Sequence, residues 1–123
     1  MSHEIAHITQ HQLHELQRRL RARARALASR IEQDLRSEAL VQEAFDASSS
    51  VEAAVDTASI EREGWELTQV EHALARLESG LYGLCVECGA AIPWVRLDAV
   101  PEAARCVQCE SEREHRWAKP PSL

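Results

Sequence analysis

Four cysteines carry the clearest chemistry in this sequence, and they come in two tight pairs. Cys85-Val86-Glu87-Cys88 and Cys106-Val107-Gln108-Cys109 are separated by 17 residues. Two thiolates three positions apart on a knuckle can both reach one ion at about 2.3 Å, and a second knuckle completes a tetrahedron. Gly83 and Gly89 flank the first knuckle, where the backbone has to turn tightly. Four sulfur donors leave no open coordination position, so the expected chemistry is structural: one zinc ion per chain and no catalysis at the metal. The competing use of C-x-x-C is a redox dithiol, but no βαβ pattern surrounds either pair. The metal would also stand in for a core. Between the knuckles only Ile92, Trp94, Val95, Leu97 and Val100 are available for burial, and modules of this size generally unfold without their ion.

Other reactive side chains are sparse. His3, His7, His11 and His14 fall on one helical stripe that could take a soft divalent ion, although near a terminus exposed and unliganded side chains are the expected outcome. Glu52 and Asp56 stand one helical turn apart, near the start of a helix whose dipole favours an anion. Trp65 lies outside any apolar seam and reads either as a partner contact or as a cover for a weak stretch of packing. Trp94 and Trp117 are expected to pack the cysteine module against the last helix. There is no Gly-rich phosphate loop, nucleophile elbow or Cys–His pair, and the chain does not read as an enzyme.

The elements that must position these residues are helical. From about Ile8 to Phe45 there is neither proline nor glycine. Leu13, Leu20 and Leu27 recur every seven residues, with Leu16, Ala24 and Ile31 offset from them. That pattern predicts a long helix with one narrow apolar seam. Asp46-Ala-Ser-Ser-Ser supplies capping and turn residues. A second helix is expected from Val51 to Ser79, seamed by Ile60, Leu67, Leu74 and Leu81 with Val70 and Leu77, and interrupted at Glu63 and Gly64. Two heptad helices joined by a few residues lie antiparallel. With the turn at Ser48, Arg18 would face Glu78, Arg25 would face Glu71 and Arg30 would face Glu66. Gly80 reads as the glycine that ends the second helix. The fold class predicted is mainly α: an antiparallel helical hairpin (a coiled coil), a small C4 zinc-finger module and a C-terminal helix. The division expected is a hairpin over 1–79 with its tip near 46–58, a zinc module with terminal helix over 80–117, and a tail over 118–123.

Composition narrows the function. The formal net charge is −6, and Lys119 is the single lysine. Arg96, Arg105, Arg113, Arg116 and Lys119 in the C-terminal part are outweighed by Glu87, Asp98, Glu102, Glu110, Glu112 and Glu114. Binding built on many phosphate contacts is therefore disfavoured, and no direct DNA binding is expected. No apolar run approaches a membrane span and no apolar leader follows the first residues, which points to a cytoplasmic protein. Nothing in the pattern demands an oligomer, so a monomer is expected.

The run Gly80-Leu-Tyr-Gly-Leu-Cys85-Val-Glu-Cys88-Gly-Ala-Ala-Ile-Pro, followed by Arg96-Leu-Asp-Ala-Val-Pro101 and Cys106-Val-Gln-Cys109, resembles the C4 zinc finger of the DksA/TraR family. The Tyr-Gly-x-Cys lead-in, the Cys-Gly-x-x-Ile knuckle and the Arg-Leu-x-Ala-x-Pro link carry the likeness. The resemblance implies a transcription regulator that inserts a coiled-coil arm into the secondary channel of bacterial RNA polymerase to modulate initiation, with ppGpp as a candidate partner at the interface. It also implies a tip motif, Asp-x-x-Asp-x-Ala, whose second aspartate and alanine are Asp56 and Ala58 here. Ala53 stands where the first aspartate would be, with Glu52 beside it. The spacing from Asp56 to Cys85 is that of short-arm members. Alternatives are a zinc-ribbon adaptor that contacts DNA or another protein, and a Gre-like stimulator of transcript cleavage in which Glu52 and Asp56 approach a Mg2+ ion.

Overall fold

In the computed structural model of the chain, residues 7–47 and 57–117 are described. Four α-helices occur among them: α1 (Gln10–Ala47), α2 (Thr57–Ser79), α3 (Trp94–Ala99) and α4 (Val107–Trp117). The start of α1 is fixed by a reciprocal capping box that a Thr-x-x-Gln spacing allows. Gln12 N–H donates to Thr9 Oγ1 at 3.0 Å, and Thr9 N–H donates to Gln12 Oε1 at 2.9 Å. The end of α2 is a Schellman turn on Gly80, whose φ is +78°. Leu81 N–H reaches back to the Arg76 carbonyl at 2.9 Å, and Gly80 N–H to the Leu77 carbonyl at 3.4 Å.

The two long helices pair along the expected seam. Leu16, Leu20 and Leu27 of α1 and Val70 and Ala73 of α2 are fully buried, while Leu13, Ala24, Leu67, Leu74 and Leu77 pack beside them. Full burial of a leucine or valine side chain contributes about 1.5–3 kcal/mol, so this seam outweighs any surface ion pair at about 0–1 kcal/mol. That ordering explains a correction to the expected register. Glu66 is met by Arg23 (Nε–Oε2 2.7 Å), not by Arg30, and Arg30 lies 3.8 Å from Glu63. Arg18 pairs with Glu15 within its own helix rather than with Glu78. Apolar burial fixes the sliding of the helices, and the guanidinium groups then take whichever carboxylates they can reach. Leu81, assigned to the seam by its spacing, is instead 54% exposed because the chain has already turned at Gly80.

The same hydrophobic cluster continues into the cysteine module. Ile8, Tyr82, Cys85, Ile92, Leu97 and Ala103 are buried with the helical seam, so the module sits on the base of the hairpin rather than hanging from it. Arg19 of α1 adds a forked contact, with Nη1 at 2.9 Å from Asp98 Oδ1 and Nη2 at 2.7 Å from the Asp98 carbonyl. Away from this base the seam thins, and among the described residues Leu27 is the last fully buried one of α1.

Gly64 lies in this thinner stretch of α2, and a Cβ placed there would meet no atom within 4 Å. Glycine inside a helix costs about 1 kcal/mol relative to alanine. Gly64→Ala is therefore expected to stabilise the protein by about 1 kcal/mol, read as a higher thermal midpoint with zinc content unchanged. A lower midpoint would show that the position is crowded.

Candidate metal centre and the faces around it

The first knuckle is shaped by two glycines and a short antiparallel bridge between Leu84 and Ala91. Gly83 and Gly89 both have positive φ, +88° and +78°. A side chain at Gly83 would in addition place its Cβ 2.7 Å from Ile8 Cδ1, because the segment before α1 lies against this turn. Cys85 N–H donates to the Ala90 carbonyl and Gly89 N–H to the Cys85 carbonyl, closing the loop around the sulfurs. The second knuckle opens α4, and Val86 N–H to the Ala104 carbonyl ties the two together at 2.9 Å.

Cys85, Cys88, Cys106 and Cys109 are brought together as the spacing requires. Their four Sγ atoms all lie within 4.8 Å of one another. The Cys88–Cys106 separation of 3.9 Å is close to the roughly 3.8 Å that a tetrahedron with 2.3 Å zinc–sulfur bonds demands. It is far too long for a disulfide, and all four cysteines are free thiols. Backbone amides already face the sulfurs: Glu87 N–H donates to Cys85 Sγ and Cys109 N–H to Cys106 Sγ, each at 3.4 Å. Burial pushes the Cys85 thiol up, but backbone hydrogen bonds from Cys88, Cys106 and Glu87 outweigh it and bring it down to about 6. Cys109 is shifted the other way, first by its hydrogen bond to Cys106 and then by burial. The arrangement fits one zinc ion, which replaces the thiol protons and binds four thiolates.

Around the centre the charges brace the knuckles. Arg105 reaches Glu87 of the first knuckle at 3.1 Å and Glu110 of α4 at 3.8 Å. Its own carbonyl accepts from Arg96 Nε at 2.9 Å. Tyr82 is wholly buried, and its hydroxyl donates to the Pro101 carbonyl at 2.8 Å. Burial raises its pKa, so it stays a neutral donor. Of the apolar residues expected to fill the module, Ile92 and Leu97 are buried and Trp94 packs on the core. Val95 is 78% exposed, because α3 has only six residues and turns one face inward. The side chain of Trp117 lies outside the described residues.

Two further faces stand out. Between α2 and the module lies an open groove of about 560 Å³, walled by Trp65, His72, Arg76, Arg96, Arg105 and Arg113 among others. Trp65 is 60% exposed on its lip, so it does not close the seam near Glu63. The histidine stripe is broken up: His7 precedes α1 and its Nε2 lies 3.0 Å from the Ile92 carbonyl, while His11 and His14 are exposed. At the other end of the arm, Ala58 is exposed in the first turn of α2, whereas Glu52 and Asp56 lie outside the described residues.

Residues 80–115 match the family model of the prokaryotic dksA/traR C4-type zinc finger. Over 70 residues, 57% of this chain, it is 34% identical to the RNA polymerase-binding transcription factor DksA of Caulobacter vibrioides, of which that stretch covers 49%. The fold agrees beyond the finger. Transcription factor DksA2 of Pseudomonas aeruginosa superposes with a TM-score of 0.67 and 26% identity, covering 88% of this chain and 87% of that one.

The chain is similar to DksA proteins in both its finger and its fold.

Another relative is similar over a shorter stretch. General stress protein 16O of Bacillus subtilis is 40% identical over 48 residues, which is 39% of this chain and 29% of that protein. The chain thus spans about half the length, or less, of these curated relatives. The RNA polymerase binding protein and transcriptional regulator Dks of Chlamydia trachomatis has the same fold, with a TM-score of 0.60 at 20% identity over 92% of this chain and 99% of that one. The likeness thus covers the cysteine module in sequence and the helical hairpin in fold. Trp65 and the carboxylates of the outer hairpin were not singled out by the finger motif.

Proposed function

We propose that this chain is a non-enzymatic transcription factor that binds RNA polymerase and delivers its helical arm into the secondary channel to modulate initiation. The observation that carries this reading is the likeness to DksA2 across both the arm and the finger, not the finger alone. A rigid arm rooted in a zinc-stapled base suits insertion: α1 has 38 residues, which at 1.5 Å per residue makes a rod of roughly 57 Å. In this reading residues 1–79 form the arm and residues 80–117 the docking base, and Glu52, Asp56 and Ala58 belong to the working tip. The sites of action would be cytoplasmic, the factor a monomer, and contact with DNA would come through the polymerase. Among the described residues no helix is long and apolar enough to cross a membrane.

The polyanion ppGpp, if it acts with this factor, has one natural place on it. Arg76 and Arg96 in the groove donate to backbone carbonyls, which hold their guanidinium groups in place. Glu102, Glu110 and Glu114 line the same groove and oppose their charge.

The direct test is to present zinc-loaded protein to purified core RNA polymerase and to a promoter fragment separately. Stable association with polymerase and none with the fragment is expected. Retention on DNA without polymerase would favour the adaptor reading instead.

A further inference from the structure

The heptads that zip the arm lose their apolar residues at one level on both helices. In α1 the series Leu13, Leu20, Leu27 continues seven residues on to Asp34. In α2 the position seven before the buried Val70 is Glu63. Both side chains remain partly shielded from water, because the seam continues past them through Ile31, Val41 and Ile60. Counting heptads from the buried Leu27 and Val70 puts Asp34 and Glu63 at one level of the seam. Arg30 of α1 comes only to 3.8 Å of Glu63 Oε2, while Glu63 Oε1 is buried with no hydrogen-bond partner. A buried acceptor without a donor costs about 1–3 kcal/mol, and a second carboxylate opposite makes full ionisation worse.

We propose that Asp34 and Glu63 form a carboxyl pair that takes up one proton from solvent, and that this proton sets how firmly the outer half of the arm is zipped. With the proton present, one carboxyl donates to the other and the orphaned oxygen is satisfied. Without it, two negative charges face each other in the seam and the helices separate there. Burial raises the Glu63 carboxyl above its ordinary value, and the hydrogen bond and charge of Asp34 add to this. Arg30 and Arg62, the cations facing it from α1 and from its own helix, act in the opposite direction. Glu66, a turn towards the base, is already matched by Arg23. The sign follows: a carboxyl that holds its proton more tightly when folded contributes stability at low pH. That stability is lost as pH rises through the folded value. The arm should therefore be tighter in mildly acidic than in mildly alkaline conditions, and this holds whether or not the protein binds polymerase.

The test uses the full zinc-loaded chain, with metal content measured alongside so that zinc loss is not mistaken for arm opening. Carboxyl-carbon NMR should show Glu63 titrating above the exposed glutamates, and Asp34→Asn should move its midpoint down. Hydrogen exchange of amides from Ile60 to Leu67, corrected for intrinsic rates, should show opening that grows by up to about tenfold per pH unit through that transition. In Glu63→Gln, which is uncharged at every pH, the dependence should flatten. The proposal is overturned if Glu63 titrates with the exposed carboxylates, if Asp34→Asn leaves its midpoint in place, or if opening is equally pH-dependent in Glu63→Gln.

Discussion

Replacing Cys88 by serine is expected to release the zinc and unfold the module while leaving most of the hairpin helical. Cys88 is exposed, so the substitution removes almost no buried surface and isolates the loss of a ligand. The energetic case rests on scale. Structural zinc contributes about 10–16 kcal/mol in comparable modules, as much as the whole stability of an ordinary domain at about 5–15 kcal/mol. The module's own apolar contribution is small: Tyr82, Ile92, Leu97 and Ala103 are its buried residues beside Cys85. They are held in place by knuckle hydrogen bonds that have no reason to persist once the sulfurs separate. Helices α3 and α4 supply 6 and 11 helical residues against 38 and 23 in the arm, so the far-UV helical signal should fall by roughly a fifth. Wild-type protein should carry one zinc per chain by elemental analysis, and a chelator should reproduce the variant's spectrum. Acid should do the same, since protons compete for the four thiolates. A fully helical, metal-free Cys88→Ser protein would show that the apolar base alone holds the module.

The shared core adds a second expectation for the same variant. Ile8 packs against Gly83, and His7 reaches the Ile92 carbonyl, so the first residues of the hairpin are held by the module rather than by α2. Loss of zinc should therefore loosen the start of α1 as well, and hydrogen exchange there should quicken before it does around Leu20 and Val70.

What could be read from the sequence was local or periodic. The C-x-x-C pairs announced the metal because ligand spacing is itself the geometry. The heptads announced the hairpin because a seam repeats wherever it is. Gly80 was legible as a helix stop because the left-handed turn needs glycine. The parts that escaped depend on contacts between distant segments. Tyr82 looks like one more letter in a knuckle lead-in, yet among the described residues it is the largest wholly buried side chain, pinned through Pro101. The salt-bridge register was misplaced because it was counted from a turn at Ser48, whereas the packing of buried Leu20, Leu27, Val70 and Ala73 sets it. The Thr9–Gln12 capping box was present in the letters and overlooked. Asp34 was hidden for a different reason: a lone acid in a polar helix looks solvated until the partner helix puts Glu63 opposite.

The result with the widest bearing on function concerns Asp56. It is the residue before Thr57, where the described part of α2 begins, and lies two before the exposed Ala58. Asp56→Asn keeps the shape of the side chain and deletes its charge. An Asp-to-Asn change of this kind usually shifts folding by no more than about 0.5 kcal/mol, so the variant should melt and bind zinc like wild type. If the module and the groove beside it supply most of the affinity for polymerase, as the proposed division of labour holds, one carboxylate at the far end of the arm removes little of it. Asp56→Asn should then compete for polymerase almost normally and yet lose its effect on transcription from a responsive promoter. Ala53→Asp, which restores the first acid of the tip pattern, should leave that effect unchanged or strengthen it. The two readouts separate the possibilities. Wild-type transcription by Asp56→Asn would mean that the tip is not the working end, and an adaptor role would gain. Loss of polymerase binding would mean that the arm itself anchors the complex, with the carboxylate meeting a cation in the channel rather than acting on the reaction.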